Sequence, residues 1–210
     1  MENFESFSLK SEYNSMLNPI KKLEYGKIIK KLSDSLPSLW SKKYKEFSHR
    51  LSDICIINHK TFDYIFDDVQ SDNEDFNNTT LRYESRIVAV YGKSDPQKRK
   101  RDDGRLKGWL GKTEKIFGIS WDKGHFIANS IGGVIDGVEI NAFPQNRSLN
   151  RGWSDQGKVY RKMEDYCFNN PGIFCFSRPI YFDESFRPSL LEYGLLKFDN
   201  SFWIEIFDNR

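Results

Sequence analysis

The chain is poor in several features that would settle its class at once. It has three histidines, at 49, 59 and 125, and three cysteines, Cys55, Cys167 and Cys175, without metal-type spacing. An odd number of unpatterned thiols argues against a disulfide scaffold and a zinc finger, and fits reduced cysteines in a reducing compartment. No apolar run approaches the length that spans a bilayer. The first residues, MENFESFSLKSEYNSML, lack the basic start and apolar stretch of a signal peptide. The expectation is a cytoplasmic protein with no membrane partner. Net charge is nearly absent as well: 32 basic against 30 acidic side chains leave +2, too little by itself to argue for nucleic acid. There is no internal repeat and no long low-complexity segment, so neither a solenoid nor a biased tail is expected.

What the chain does have is aromatic bulk and uneven charge. Hydrophobic residues make up only 38% of the 210, but 17 Phe, 10 Tyr and 5 Trp supply the apolar area for one well-buried core. Residues 67 to 75 (DDVQSDNED) carry five acids and no base, whereas 93 to 112 (KSDPQKRKRDDGRLKGWLGK) carry eight bases against three acids. Each run, taken alone, reads as solvated loop.

Periodicity predicts helices from residue 8 to about 65, around Ile20, Leu23, Ile28, Ile29 and Leu32, with a break near Pro37. His49 and His59 read there as surface or packing residues. The acidic, Asn-rich stretch from Asp67 to Asn78 reads as a linker, and RIVAVYG (86–92) as a buried strand. IFGISW predicts a strand ending at Asp122, and VEINAF (138–143) a second one after a Gly-rich turn. Val159, Met163, Tyr166 and Cys167 form the stripe of an amphipathic helix, with Ser154 as its N-cap and Asp155 in its first turn. The carboxy-terminal part, GIFCFSRPIYFD and LEYGLLKFDNSFWIEIF, predicts further strands and a closing hairpin. The class is α+β.

On the strand, loop, strand and helix in the middle fall His125, Asn141, Asn150 and Glu164, separated by 16, 9 and 14 residues. Singly, each has an ordinary explanation as a packing residue, a turn residue, a cap or a surface charge. The local strings say more. Asp122-Lys123-Gly124-His125, then Asn141 with Pro144 and Gln145, then Leu149-Asn150, then Glu164 within YRKMED resemble the signature of the DNA/RNA non-specific endonucleases with a ββα-metal finger. That signature runs D-R-G-H, N-x-x-P-Q, L-N and a helix bearing a glutamate. The resemblance is clearest over residues 114 to 168 and does not extend over the first 75.

It implies a ββα-metal nuclease core on a mixed or antiparallel sheet in residues 76–210; the helical residues 1–75, outside the resemblance, are read as a docking or regulatory region from the acidic linker and from the danger of an unguarded nuclease. It implies His125 as general base, since imidazole changes charge near neutral pH, and Asn141 as a positioning group. Asn150 would give its carbonyl oxygen to one divalent metal, Mg²⁺ or another such as Mn²⁺, and Glu164 would act on that metal through water. Gly124 would let the backbone turn sharply and bring the imidazole against a phosphate. Arg161 neighbours Glu164 at helical spacing, while Met163 and Val159 face the core. Lys123 departs from the pattern: it keeps the charge of the usual arginine but lacks its bidentate fork. Arg147, Arg151 and Arg161 are candidates to supply that grip, and Arg86 and Arg105 both remain open for a further upstream arginine of the family.

No base-reading device is visible, so the expected substrate contact is to backbone. Lys98, Arg99, Lys100 and Arg101 in the basic loop, with Arg147 and Arg151, are the candidate phosphate track, and Trp109, Trp121 or Trp153 the candidate stacking groups. The expected activity is sequence-non-specific hydrolysis of DNA to 5′-phosphate and 3′-hydroxyl ends, with RNA left open as a further substrate. An indiscriminate nuclease endangers its own cell, which suggests a toxin or defence effector silenced by an inhibitor or immunity protein, or acting in a larger effector complex. The alternative is a catalytically silent nuclease-like module that binds nucleic acid or a partner protein.

Overall fold

The computed structural model describes residues 4–48, 53–68, 85–96, 118–133 and 139–210. Two helices, α1 (Lys10–Leu17) and α2 (Tyr25–Phe47), precede the strands β1 (Asp53–His59), β2 (Phe62–Asp68) and β3 (Arg86–Lys93). Then come β4 (Trp121–His125), β5 (Ala142–Asn146), the single turn α3 (Arg147–Asn150) and α4 (Asp155–Asn169). The chain closes with β6 (Phe174–Ile180), β7 (Leu190–Leu196) and β8 (Phe202–Asp208). The architecture is α+β. Six strands form one antiparallel sheet in the order β1-β2-β3-β6-β7-β8, and β4 and β5 form a separate antiparallel pair.

The inner strands of the sheet bury both faces, while the edge strand β1 is largely exposed. Alternation along β6 sends Phe174 and Phe176 to one side and Cys175 to the other. The first side is covered by Ile28, Ile29, Leu32, Leu36 and Trp40 of α2 and by Tyr13 and Leu17 of α1. The second is covered by Tyr160, Met163 and Cys167 of α4 and by Phe126, Phe143 and Leu149 around the β4–β5 pair. Ser154 caps α4 by accepting from the Gly157 amide at 3.0 Å, as the sequence pattern predicts. The RIVAVYG strand and the carboxy-terminal hairpin also stand where expected.

Five expectations fail. Residues 53–68 are a hairpin instead of helix: β-branched Ile54, Ile56 and Ile57 pair with the aromatic strand Phe62–Asp68 across a turn in which Lys60 takes a φ of 58°. Asp67 and Asp68 therefore belong to β2 and not to a linker; the remainder of that acidic stretch lies outside the described residues. The helix does not break at Pro37. Proline in a helix interior costs about 3 kcal/mol, and burial of Leu36 and Trp40 on either side of it offsets that cost. The IFGISW strand signal is displaced: residues 118–120 are a turn, and β4 begins at Trp121, where a strand was expected to be ending. Likewise Glu139–Asn141 is a 3-10 turn and β5 starts only at Ala142, running through Pro144, which is tolerated because each member of a two-stranded pair is an edge.

The division expected at residue 75 passes between β2 and β3, which are paired neighbours in the sheet. The two sides are also joined by a buried ion pair. Glu192 on β7, fully buried, accepts from Arg178 Nε at 2.7 Å, the Tyr13 hydroxyl at 2.7 Å, the Leu9 amide at 2.9 Å and the Ser8 hydroxyl at 3.0 Å. Arg178 also donates to the Phe7 carbonyl at 2.5 Å. Removing one member of such a pair leaves the other charged and unpaired in the core. Arg178→Ala is therefore expected to lower unfolding free energy by about 3–5 kcal/mol in urea melts, with α1 losing amide-exchange protection first; a variant as stable as the parent would show that Glu192 is not held by this pair.

Candidate functional site

The β4–β5 pair is pinned to the end of the large sheet. Asn209, fully buried, donates to the Pro144 carbonyl at 3.0 Å and the Pro188 carbonyl at 2.7 Å, and accepts from the Asn146 amide at 2.8 Å. Within the pair, Gly124 has a role other than the expected sharp turn. It lies in regular strand opposite Phe143, and a Cβ there would stand 2.3 Å from Gln145 Oε1 and 2.4 Å from Gln145 Cβ. Glycine is required so that the buried Gln145 can cross β4.

Asn141, expected on the second strand, ends the 3-10 turn that leads into it. Its side chain is buried and accepts from the Ile127 amide at 3.0 Å while donating to the Ile127 carbonyl at 2.8 Å. Its own carbonyl accepts from the Phe126 amide at 2.9 Å. Asn141 thus fixes the backbone immediately after His125, a positioning task.

Asp122 is the focus of the opposite side. Arg147 Nε donates to its Oδ1 at 2.9 Å, Arg151 donates from Nε at 2.6 Å and from a terminal nitrogen at 3.0 Å, and Asn150 Nδ2 donates at 3.2 Å. Burial pushes the Asp122 carboxyl up, but the donors from Arg151, Asn150 and Arg147 outweigh it and hold the group below the usual carboxylate range. The contact orients the Asn150 amide: with the nitrogen turned to Asp122, the carbonyl oxygen points away from it. It also engages the guanidinium groups of Arg147 and Arg151 in building the site.

Arg161 joins this corner to α4. One terminal nitrogen donates to Glu164 Oε2 at 2.7 Å and the other to the backbone carbonyl of Asn150. Glu164 is almost wholly buried, and burial pushes its carboxyl up to about 7 even though Arg161 pulls the other way. Tyr160, which precedes Arg161, is buried and donates to the His125 carbonyl at 3.4 Å. Alternation along β4 sets Lys123 and His125 on one face and Asp122 and Gly124 on the other. Helix α4 touches both ends of this unit, since Tyr160 reaches the His125 carbonyl and Arg161 the Asn150 carbonyl. Sequence reasoning missed Asp122 as the hub and Tyr160 as the link; the carboxylate lying three residues before the histidine was the visible sign of the first.

Of the other expected residues, Arg86 is buried on β3, where it donates to the Tyr44 hydroxyl at 2.7 Å and to the Asp183 and Ser185 carbonyls at 2.7 and 3.0 Å. Through those bonds Arg86 fastens the 181–189 loop to β3. Lys98, Arg99, Lys100, Arg101, Arg105 and Trp109 lie outside the described residues. The donors at this corner are amide and carboxyl oxygens, a set that suits a hard, water-rich cation such as Mg²⁺. Among the described residues there is no cluster of three or more His, Cys, Asp or Glu side chains that could chelate a metal by itself, so a cation here would be held by Asn150 Oδ1 and water. No helix among the described residues is long and apolar enough to cross a membrane. No protein-family profile matches the chain, and no curated protein shows significant similarity to it.

A buried carboxyl near 7 is costly to structure. Between the ordinary value of 4.5 and about 7 the folded chain keeps a proton that the unfolded chain releases, so stability falls as pH rises through that window. The whole loss is up to about 3 kcal/mol. Glu164→Gln is expected to flatten this part of the pH–stability curve and to be more stable than the parent at pH 8, read from urea unfolding at a series of pH values. Parallel curves for the two proteins would contradict it.

Proposed function

We propose that this chain is a metal-dependent, sequence-non-specific endonuclease that hydrolyses phosphodiester bonds of DNA to 5′-phosphate and 3′-hydroxyl ends, with RNA left open as a further substrate. One observation carries the reading. Asn150, Arg161 and Glu164 meet within hydrogen-bond distance, directly after an antiparallel strand pair bearing His125. The order strand, strand, helix and the identity of the side chains agree with the ββα-metal resemblance of the sequence.

In this reading His125 takes the proton of the attacking water, and Asn141 keeps its backbone in place by holding Ile127. Lys123, on the same face of β4, supplies positive charge toward the phosphate. Asn150, oriented by Asp122, and Glu164, acting through water, would hold one divalent cation; such a cation supplies charge neutralisation at a phosphate oxygen and at the departing O3′. Arg161 keeps Glu164 and the Asn150 backbone together. Around the corner stand Arg147, Arg151 and Arg161 against Asp122 and Glu164, three cationic side chains to two carboxyls, a balance that favours a polyanion. The retention of a destabilising buried carboxyl at this place favours a chemical role over a purely architectural one.

An enzyme of this kind is dangerous to the cell that makes it. The role that follows is a toxin or defence effector held silent by an inhibitor or immunity protein, or working within a larger effector complex. Harmless expression of the wild-type chain by itself would remove the need for such a partner.

The test of the activity is digestion of supercoiled plasmid with Mg²⁺ and with EDTA. Wild type is expected to nick and linearise the plasmid only with metal, while His125→Ala loses about 10²–10⁴-fold in rate and Asn150→Ala loses metal-dependent cutting. Equal cutting by the His125 variant would falsify the assignment of the base, and a wild-type chain inert with Mg²⁺ and Mn²⁺ would leave the silent binding module as the better account.

A further inference from the structure

Trp153 stands in the link between α3 and α4, three residues after Asn150, and is 61% exposed. The other tryptophans among the described residues are used inside the fold. Trp40 is fully buried, Trp121 is nearly so beneath the Arg187 guanidinium, and Trp203 packs edge-on to Tyr166. The exposure of Trp153 is not that of a loose loop. Its amide donates to the Ser148 carbonyl at 2.9 Å, Gly152 before it turns the chain with a φ of 71°, and Ser154 after it caps α4. One side of the ring is backed by the Arg151 guanidinium, 5.1 Å from the ring centroid, and Arg151 is itself fixed by two bonds to Asp122.

A rigid, largely exposed indole backed by a pinned cation, beside Arg147 and Arg161, has the two features that bind an unpaired nucleotide. It offers an aromatic face on which any base stacks and positive charge for the adjoining phosphate. A base paired within a duplex cannot offer its face to such a ring without leaving the stack. We infer that Trp153, backed by Arg151, is a stacking platform for a nucleobase next to the scissile phosphate, and that it makes single-stranded or locally unpaired nucleic acid the preferred substrate. The inference rests on the nuclease reading for its meaning, but its test does not depend on cleavage.

The experiment measures binding in EDTA, by fluorescence anisotropy, of a labelled oligothymidylate and of a hairpin duplex of matched length. Wild type is expected to favour the single strand. Trp153→Ala lowers the ratio of single-strand to duplex affinity by about tenfold or more, and Trp153→Phe restores most of it. Thermal melts of both variants show whether either has lost its fold, and the phenylalanine variant keeps the comparison valid if alanine unsettles α4. An unchanged ratio in Trp153→Ala, or equal loss on both oligonucleotides, overturns the platform. A wild-type chain that binds neither oligonucleotide also overturns it and assigns the exposed indole to a protein interface. Plasmid digestion by wild type with Mg²⁺, run alongside, reads the nuclease activity separately, so that either idea can fail without the other.

Discussion

Asp122 accepts hydrogen bonds from Arg147, Asn150 and Arg151, and through them one carboxylate fastens the segment after β5 to the strand that carries His125. A helix of four residues cannot hold itself in water, because one turn fixes many dihedrals for a single backbone bond. The Asp122 contacts supply what α3 lacks, and they orient the Asn150 amide as they do so. From there the order of dependence is short. The Asn150 backbone carbonyl receives Arg161, Arg161 holds Glu164, and Tyr160, the preceding residue on α4, reaches the carbonyl of His125. Every residue proposed to act on a phosphate is thus placed by a neighbour with a different task.

The large sheet explains why this corner can be built from edges and short turns. It is covered on one face by α1 and α2 and on the other by α4 and the β4–β5 pair, so the site is laid over an apolar layer that includes Met163, Cys175, Leu191 and Tyr193. The amino-terminal helices occupy the opposite face. Their attachment through Glu192 and Arg178, and the pairing of β2 with β3, make residues 4–48 and 53–68 part of the same sheet layer structure. A docking or regulatory role for the first 75 residues would accordingly act from within the fold. Both hubs, Asp122 and Glu192, are carboxylates satisfied by several donors, but they differ in exposure: Asp122 opens to solvent at the edge of the site, while Glu192 is closed off entirely.

What could be read in advance followed periodicity and capping. The α4 stripe and its Ser154 cap, the RIVAVYG strand and the carboxy-terminal hairpin are local signals, and tertiary packing agrees with them. The β1–β2 hairpin escaped because Lys60 and Thr61 carry no turn signature and the adjacent Lys-rich helix obscured the change of period. Pro37 misled because the burial that retains it comes from a sheet far away in sequence. In the site, the residues proposed for chemistry were visible as types in order, whereas the partners of Asn141, Arg147 and Arg151 depend on which backbone or carboxyl the fold brings alongside. Those contacts span 14, 25 and 29 residues, and no local pattern encodes them.

The central claim is that His125 and a cation held at Asn150 act on one phosphate, although the imidazole and Asp122 leave β4 on opposite faces. Its most direct test is to add Mn²⁺ to protein with ¹⁵N-labelled histidine and follow the imidazole signals by NMR. The account predicts that the His125 resonances broaden beyond detection at substoichiometric Mn²⁺ while those of His59 persist, and that Asn150→Ala abolishes the effect. A His125 signal as sharp as that of His59, with Mn²⁺ shown to be bound, would contradict it.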